Sequence, residues 1–192
     1  NLLWRIIKID SDNSLYLITD NIITYLNGNN PHLNTWLNSS EIINSGIFQS
    51  NLNNIDKYLL NYNVCDDIIS DINNLNCEVI NKNGLIGLPS IIDYINTGGE
   101  NSFINNNKYT ILNNTDTNNN KWYINNEGKL GISNADDIYG VKAVIRLKDN
   151  LELKSGDGSI NDPYTFEEDT TLFGSYVKLD DDIWRIYEEK NC

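Results

Sequence analysis

A chain of 192 residues with 27 Asp and Glu against 14 Lys and Arg carries a net charge of -13, which argues against nucleic acid or an anionic membrane surface as a partner. Its 40% hydrophobic content suffices for the core of one sizeable domain, and no apolar run approaches the roughly 18–20 residues of a transmembrane helix. Asn1 opens directly onto Leu2-Leu3-Trp4 and there are 0 Met, so the sequence reads as a piece of a longer protein, in which a missing signal peptide says nothing about compartment.

Residues 3–9 are predicted to form a strand, residues 10–14 a turn and residues 15–19 a returning strand, together a β-hairpin. The spacing of Asp10, Asp12 and Ser14 resembles the opening of a calcium loop. The sixth position holds Leu15 instead of the required glycine, and no downstream Glu completes the set, so a plain turn is expected. After a loop at residues 27–31, Pro31 suits the first turn of a short helix with Leu33, Trp36 and Leu37 on one face. His32, the single histidine, cannot build a metal cluster or a catalytic triad alone and reads as a surface residue. Apolar positions over residues 42–48 and 52–60 predict a second helical region.

Cys65 and Cys77 flank a polar, Asn-rich stretch and could close a short loop or stand as two buried thiols; neither has the spacing of a zinc or redox motif, and Cys192 has no evident partner. Residues 81–84 read as a turn and 85–88 as a short buried strand. Pro89 then starts a helix over residues 90–96, ended by Gly98-Gly99. That glycine pair follows the helix, so it cannot serve as a phosphate cradle at a helix N-terminus. Strands are predicted at 109–112 and 121–124, around an Asn/Thr-rich loop, and a turn at 125–128 joins the latter to a strand at 130–132.

The clearest strand signal is Gly140-Val141-Lys142-Ala143-Val144-Ile145-Arg146-Leu147-Lys148, where apolar residues at odd positions alternate with Lys142 and Arg146 and only Val144 breaks the pattern. A short strand at 151–153 and two successive turn signals, Gly156-Asp157-Gly158-Ser159 and Asn161-Asp162-Pro163-Tyr164, follow it. Helices early and strands late predict an α+β fold, with short helices in the first half and antiparallel strands concentrated in the second.

An internal repeat is the most specific feature. Leu3-Trp4-Arg5-Ile6-Ile7-Lys8 recurs as Ile183-Trp184-Arg185-Ile186-Tyr187-Glu188, 180 residues later. The expected organisation is therefore one module over residues 1–173, followed at 174–192 by the opening strand of a further repeat or by a strand that completes the first module beside residues 3–9.

Gly174-Ser175-Tyr176-Val177-Lys178 before Trp184-Arg185-Ile186 begins the set of motifs that carries a resemblance. Gly87-Leu88-Pro89-Ser90 with Asp93-Tyr94-Ile95, Gly140-Val141-Lys142-Ala143-Val144, and Gly156-Asp157-Gly158 with Asn161-Asp162-Pro163-Tyr164 complete it. Together they resemble extracellular repeat modules in surface proteins of low-GC Firmicutes and Mollicutes. Those modules are similar in turn to the formylglycine-generating-enzyme and C-type-lectin-like fold, with Gly140-Val141-Lys142 where that fold has a Gly-aromatic-Arg strand. The resemblance implies an extracellular protein of a bacterial cell surface. In that oxidising setting Cys65 and Cys77 are expected to be disulfide-bonded.

The copper-binding cysteine pair of the oxidases and the proline-containing calcium motifs of the lectins are not in the sequence. A non-catalytic structural or adhesive repeat is therefore expected, without cofactor or metal, whose partners are adjacent repeats of the same chain and, in the adhesive case, a host or cell-surface glycan or protein. The alternative is a lectin-like or protein-binding module using the Asn-rich loops of residues 109–140, where Trp122, Tyr123 and Tyr139 offer aromatic platforms; for Trp122, core packing is the competing expectation.

Overall fold

The computed structural model describes residues 2–27, 37–38, 55–65, 67–75, 80–82, 84–105, 107–118, 120–134, 137–168, 176–179 and 182–185. The expected hairpin forms as β1 (Trp4–Ile9) against β2 (Leu15–Thr19), antiparallel, with a bulge between Ile6 and Lys8. Its turn is a plain one. Asn13 takes a left-handed φ of 64°, and the Ser14 N–H and hydroxyl both donate to Asp12 Oδ1. The carboxylates of Asp10 and Asp12 face Arg146, whose Nε donates to Ser14 Oγ at 2.9 Å, so a side chain of a distant strand occupies the place a cation would take. The Asp12 carboxyl is held below its usual pKa, first by the Ser14 hydroxyl.

The next strand, β3 (Thr24–Asn27), precedes a short helix at Ile55–Tyr58 and the two-residue β4 (Leu59–Leu60). The expected helix over 52–60 is thus cut short within the described residues: Leu59 and Leu60 leave the helical path to pair with Leu147 and Arg146, because a sheet neighbour there takes their backbone groups. Of the expected helix opened by Pro31, Leu37 is helical and 2% exposed; His32, Leu33, Trp36 and residues 42–48 lie outside the described residues.

Strands β5 (Asn63–Cys65) and β6 (Ile80–Lys82) pair with each other, followed by β7 (Ile86–Gly87). The helix Ile91–Asn96 has Ser90 as its N-cap, one residue after the Pro89 expected to open it. Asp93 completes a capping box. The helix ends at Thr97, with Gly98 in the left-handed region at φ 113°, and a 3-10 turn follows at Gly99–Asn101. Then come β8 (Tyr109–Asn114), β9 (Lys121–Ile124), β10 (Leu130–Ser133), β11 (Ile138–Val141) and β12 (Val144–Leu147).

These strands make two larger sheets. One has the order β1-β2-β12-β4 with β7 also on β12, and the other the order β10-β9-β8-β11-β3. Among the described residues all pairings are antiparallel except that of β11 with β8, where Gly140 meets Tyr109 in parallel. The class is mixed and strand-dominated. Among the described residues seven strands precede the Ile91–Asn96 helix and nine follow it, so the expected concentration of strands in the second half is slight. One core cluster draws on both sheets and the helix, with Ile18, Val144, Ile91, Tyr109, Ile111 and Ile124 all fully buried.

The stretch that read as one strand is two. β11 belongs to the second sheet and β12 to the first, and Lys142-Ala143 makes the step between them. Lys142, expected on a solvated face, is 0% exposed because both sides of the crossing are covered. Its Nζ donates to the main-chain oxygens of Asp20 and Ile104, each at 2.9 Å, and lies 5.1 Å from the Tyr109 ring centroid. Burial pushes its ammonium pKa down to about 8, with Asp20 opposing the shift.

A second buried network supports the helix. Asp93 Oδ2 accepts from Tyr62 Oη at 2.9 Å, from the Ser90 N–H at 2.7 Å and from the Ser90 hydroxyl at 2.8 Å. Burial, then the Asp93 charge, pushes the Tyr62 phenol well above its usual pKa. The Cδ1–Cε1 edge of the Tyr62 ring lies against Gly87, where a Cβ would stand 2.1 Å from Tyr62 Cδ1.

Compact units are Asn1–Asp149 and Asn150–Cys192, so the division falls after Asp149. In the second, β13 (Leu151–Ser155) pairs antiparallel with β14 (Thr165–Glu168), and β15 (Tyr176–Leu179) with β16 (Asp182–Arg185). Tyr176–Leu179, one of whose expected places was beside residues 3–9, takes Asp182–Arg185 as its sheet partner.

Two outcomes follow from this packing. Gly87→Ala should destabilise the chain by about 1–3 kcal/mol in urea unfolding, since the new methyl must displace the buried Tyr62 ring. Between about pH 8 and 10 the unfolded chain keeps the Lys142 proton that the native chain gives up, so stability should rise with pH by roughly 2 kcal/mol. Above that window the raised phenol pKa values of Tyr62 and Tyr109 act in the opposite sense, because the native state then holds protons the unfolded chain has lost. Unfolding midpoints across that pH range should lose the rise in Lys142→Met.

Candidate functional site

Alternation along β9 separates the three aromatic residues singled out in the sequence. Trp122 and Ile124 point into the core, and the Trp122 indole N–H donates to the Ile69 oxygen at 2.7 Å. Trp122 is therefore a core residue, tied to the segment that follows Cys65, and offers no platform. Tyr123, between them, projects from the opposite face of the sheet.

That opposite face brings Tyr123 and Tyr139 together. Their ring centroids are 4.8 Å apart at an interplanar angle of 32°. Gly131 pairs with Tyr123 across β10, and its missing side chain leaves room for the ring: a Cβ there would lie 2.5 Å from Tyr123 Cζ. The exposed Lys108 sets its ammonium 4.3 Å from the Tyr139 centroid and 4.9 Å from that of Tyr123. The backbone fixes this placement, since the Gly140 N–H donates to the Lys108 oxygen at 3.3 Å. Tyr139 itself is only 3% exposed and donates its hydroxyl to Asp137 Oδ2 at 3.1 Å. Burial is the main reason its phenol pKa rises to about 12; the Ser133 hydroxyl opposes that rise and Asp137 adds to it.

The patch is a half-buried ring, a buried ring behind it and a positive charge above both. Such a group can hold a planar or sugar-like surface on Tyr123 while its cation meets a carboxylate or other acidic substituent. Sequence reasoning found the two tyrosines but missed Lys108 and Gly131. Their signal is register: Lys108 immediately precedes β8, beside the buried Tyr109 that pairs with Gly140 of β11, and Gly131 is the partner of Tyr123.

Cys65 is disulfide-bonded, at the end of β5 and opposite Ile80 of β6. Its expected partner, Cys77, lies outside the described residues, as does Cys192. The side-chain amide of the fully buried Asn113 anchors the strand around Cys65. Its Nδ2 donates to the oxygens of Cys65 and Asp67, at 2.8 and 3.1 Å, while its Oδ1 accepts the Ile91 N–H at 2.9 Å. Among the described residues no group of three or more His, Cys, Asp or Glu side chains is placed to hold a metal ion, and no helix is long and apolar enough to cross a membrane.

No family model matches the chain, and it matches neither a curated protein nor a solved structure.

Peptide mapping without reduction should recover the Cys65 peptide joined to the Cys77 peptide; a Cys65 peptide joined to Cys192 would overturn that pairing. Reduction should lower stability by about 3 kcal/mol, the scale for a loop of this length.

Proposed function

We propose that the chain is a non-catalytic structural or adhesive repeat of a bacterial cell-surface protein, working outside the cell. The observation that carries this reading is the recurrence of Trp-Arg in paired strands of two separate units: Trp4-Arg5 opens β1 of the first, and Trp184-Arg185 closes β16 of the second. A disulfide at Cys65 supports an oxidising compartment. A fold of the C-type-lectin-like or formylglycine-generating-enzyme-like type is supported by two strand-rich sheets that share one bent segment at Lys142-Ala143. The partners in this reading are adjacent repeats of the same chain.

Antibody raised against residues 1–149 should label intact, unpermeabilised cells of the bacterium that makes the protein. Labelling that requires lysis would overturn the extracellular reading.

One observation favours a second reading, a lectin-like or protein-ligand module: Tyr123, Tyr139 and Lys108 share one face of one sheet. In this reading the ligand is a host or cell-surface glycan or protein bearing acidic groups. Glycan arrays should then register binding that falls at least about tenfold in Lys108→Ala, a change at an exposed side chain that leaves the unfolding midpoint where it was. Equal binding by both proteins would leave the patch without a role.

A further inference from the structure

The loop between β13 and β14 holds both turn signals noted in the sequence, and it folds one onto the other. The backbone N–H groups of Asp157 and Gly158 both donate to the main-chain oxygen of Asp162, at 3.0 and 3.1 Å. That oxygen belongs to the peptide bond joining Asp162 to Pro163. Glycine at 156 and 158 makes the approach possible: their φ values are 102° and 82°, and a Cβ on Gly156 would lie 2.4 Å from the Pro163 oxygen. Ser159 Oγ accepts the Asp162 N–H at 3.1 Å, which fixes the other side of the same residue.

The two carboxylates of the loop differ in their engagement. That of Asp157 accepts the Ser159 N–H at 2.8 Å and is held below its usual pKa, first by the Ser159 hydroxyl. That of Asp162, an exposed residue, has no hydrogen-bond or ion-pair partner among the described residues. It is one methylene from the Cα of its own peptide carbonyl, so attack on that carbonyl closes a five-membered ring with the two groups already on one residue. Two N–H donors at about 3 Å from a carbonyl oxygen are the arrangement that stabilises the charge that oxygen gains when its carbon becomes tetrahedral. The leaving nitrogen is that of a proline, a tertiary amide with no N–H to tie it into the loop.

We propose that this loop is a self-cleavage site, at which the chain hydrolyses its own bond between Asp162 and Pro163 in mild acid. An Asp162 carboxylate oxygen bonds to the main-chain carbonyl carbon while the N–H groups of Asp157 and Gly158 hold the oxygen. The Pro163 nitrogen takes a proton from solvent acid, and the C–N bond breaks with its electron pair on that nitrogen. The cyclic anhydride left on residue 162 is opened by one water, giving two carboxyl groups. The net reaction is hydrolysis, with a free proline N-terminus at residue 163 and no redox change.

The 192-residue chain should be incubated at the lowest pH that leaves its circular dichroism unchanged, beside a sample in the same buffer with guanidinium. Mass spectrometry should detect fragments 1–162 and 163–192 accumulating at least about tenfold faster in the folded sample, since only that one holds the carbonyl against the two N–H groups. Asp162→Asn, which replaces the attacking carboxylate with a neutral amide that cannot close the anhydride and keeps the size of the side chain, should stop this cleavage. Cleavage that is no faster folded than unfolded, or that persists at the same rate in Asp162→Asn, overturns the proposal.

Discussion

A single buried ammonium sets the relation between the two sheets of the first unit. Lys142 takes its acceptors from two separate places in the chain, the Asp20 oxygen just after β2 and the Ile104 oxygen ahead of β8. Taking an ammonium out of water costs several kcal/mol, and two carbonyls with the face of Tyr109 offset much of that. What the interaction contributes is position. A strand that leaves one sheet for another must break its ladder, and the Thr19 hydroxyl accepts the Ala143 N–H while the Thr19 N–H donates to the Ala143 oxygen. With the backbone of Ala143 satisfied this way and the Lys142 side chain pinned on both flanks, the bend has one geometry, and β11 and β12 inherit their places from it.

Amide side chains then do for the irregular segments what ladders do for the sheets. Asn38 donates to the Ile86 oxygen and accepts its N–H, two bonds that copy those of a strand neighbour. Asn113 joins the start of the helix to the segment around Cys65, and Asn105 donates to the Gly99 oxygen across the 3-10 turn. Each amide offers donors and an acceptor on a short stem, so it can satisfy backbone groups that no strand reaches. An Asn-rich composition that reads at first as low complexity is, at these positions, part of the frame.

The local elements were legible because their signals are local. Turn residues between apolar runs placed the hairpin of β1 and β2 and that of β9 and β10, and Pro89 placed the helix start to within a residue of its Ser90 N-cap. Lys142 was misread for the opposite reason. Its burial depends on carbonyls contributed by residues 20 and 104, and no window around residue 142 contains them. Leu59 and Leu60 carry apolar side chains at spacing that suits a helix, but the partners that draw them into a sheet are Leu147 and Arg146. Of the candidate site, Tyr123 and Tyr139 were visible as aromatic residues. Alternation along β9 puts Trp122 on the other side, but that Tyr123 and Tyr139 share a face follows only from the pairing of β8 with both β9 and β11.

Charge decides what the outer face of the second sheet could take, in the reading that makes it a ligand site. The chain as a whole is strongly acidic, so an anionic ligand is repelled at long range. At physiological salt that field is screened over about 8 Å, and inside this distance the nearest charge dominates. On this face the nearest charge is Lys108, set over both rings at 4.3 and 4.9 Å. An incoming group finds the ammonium and the half-buried Tyr123 ring open to it, whereas Tyr139 is buried and its hydroxyl donates to Asp137. The rings hold the cation in place, and Tyr123 is also a surface to stack on. In that reading a neutral apolar ligand gains only the half-buried Tyr123 ring, whereas one with an acidic substituent gains the Lys108 charge as well.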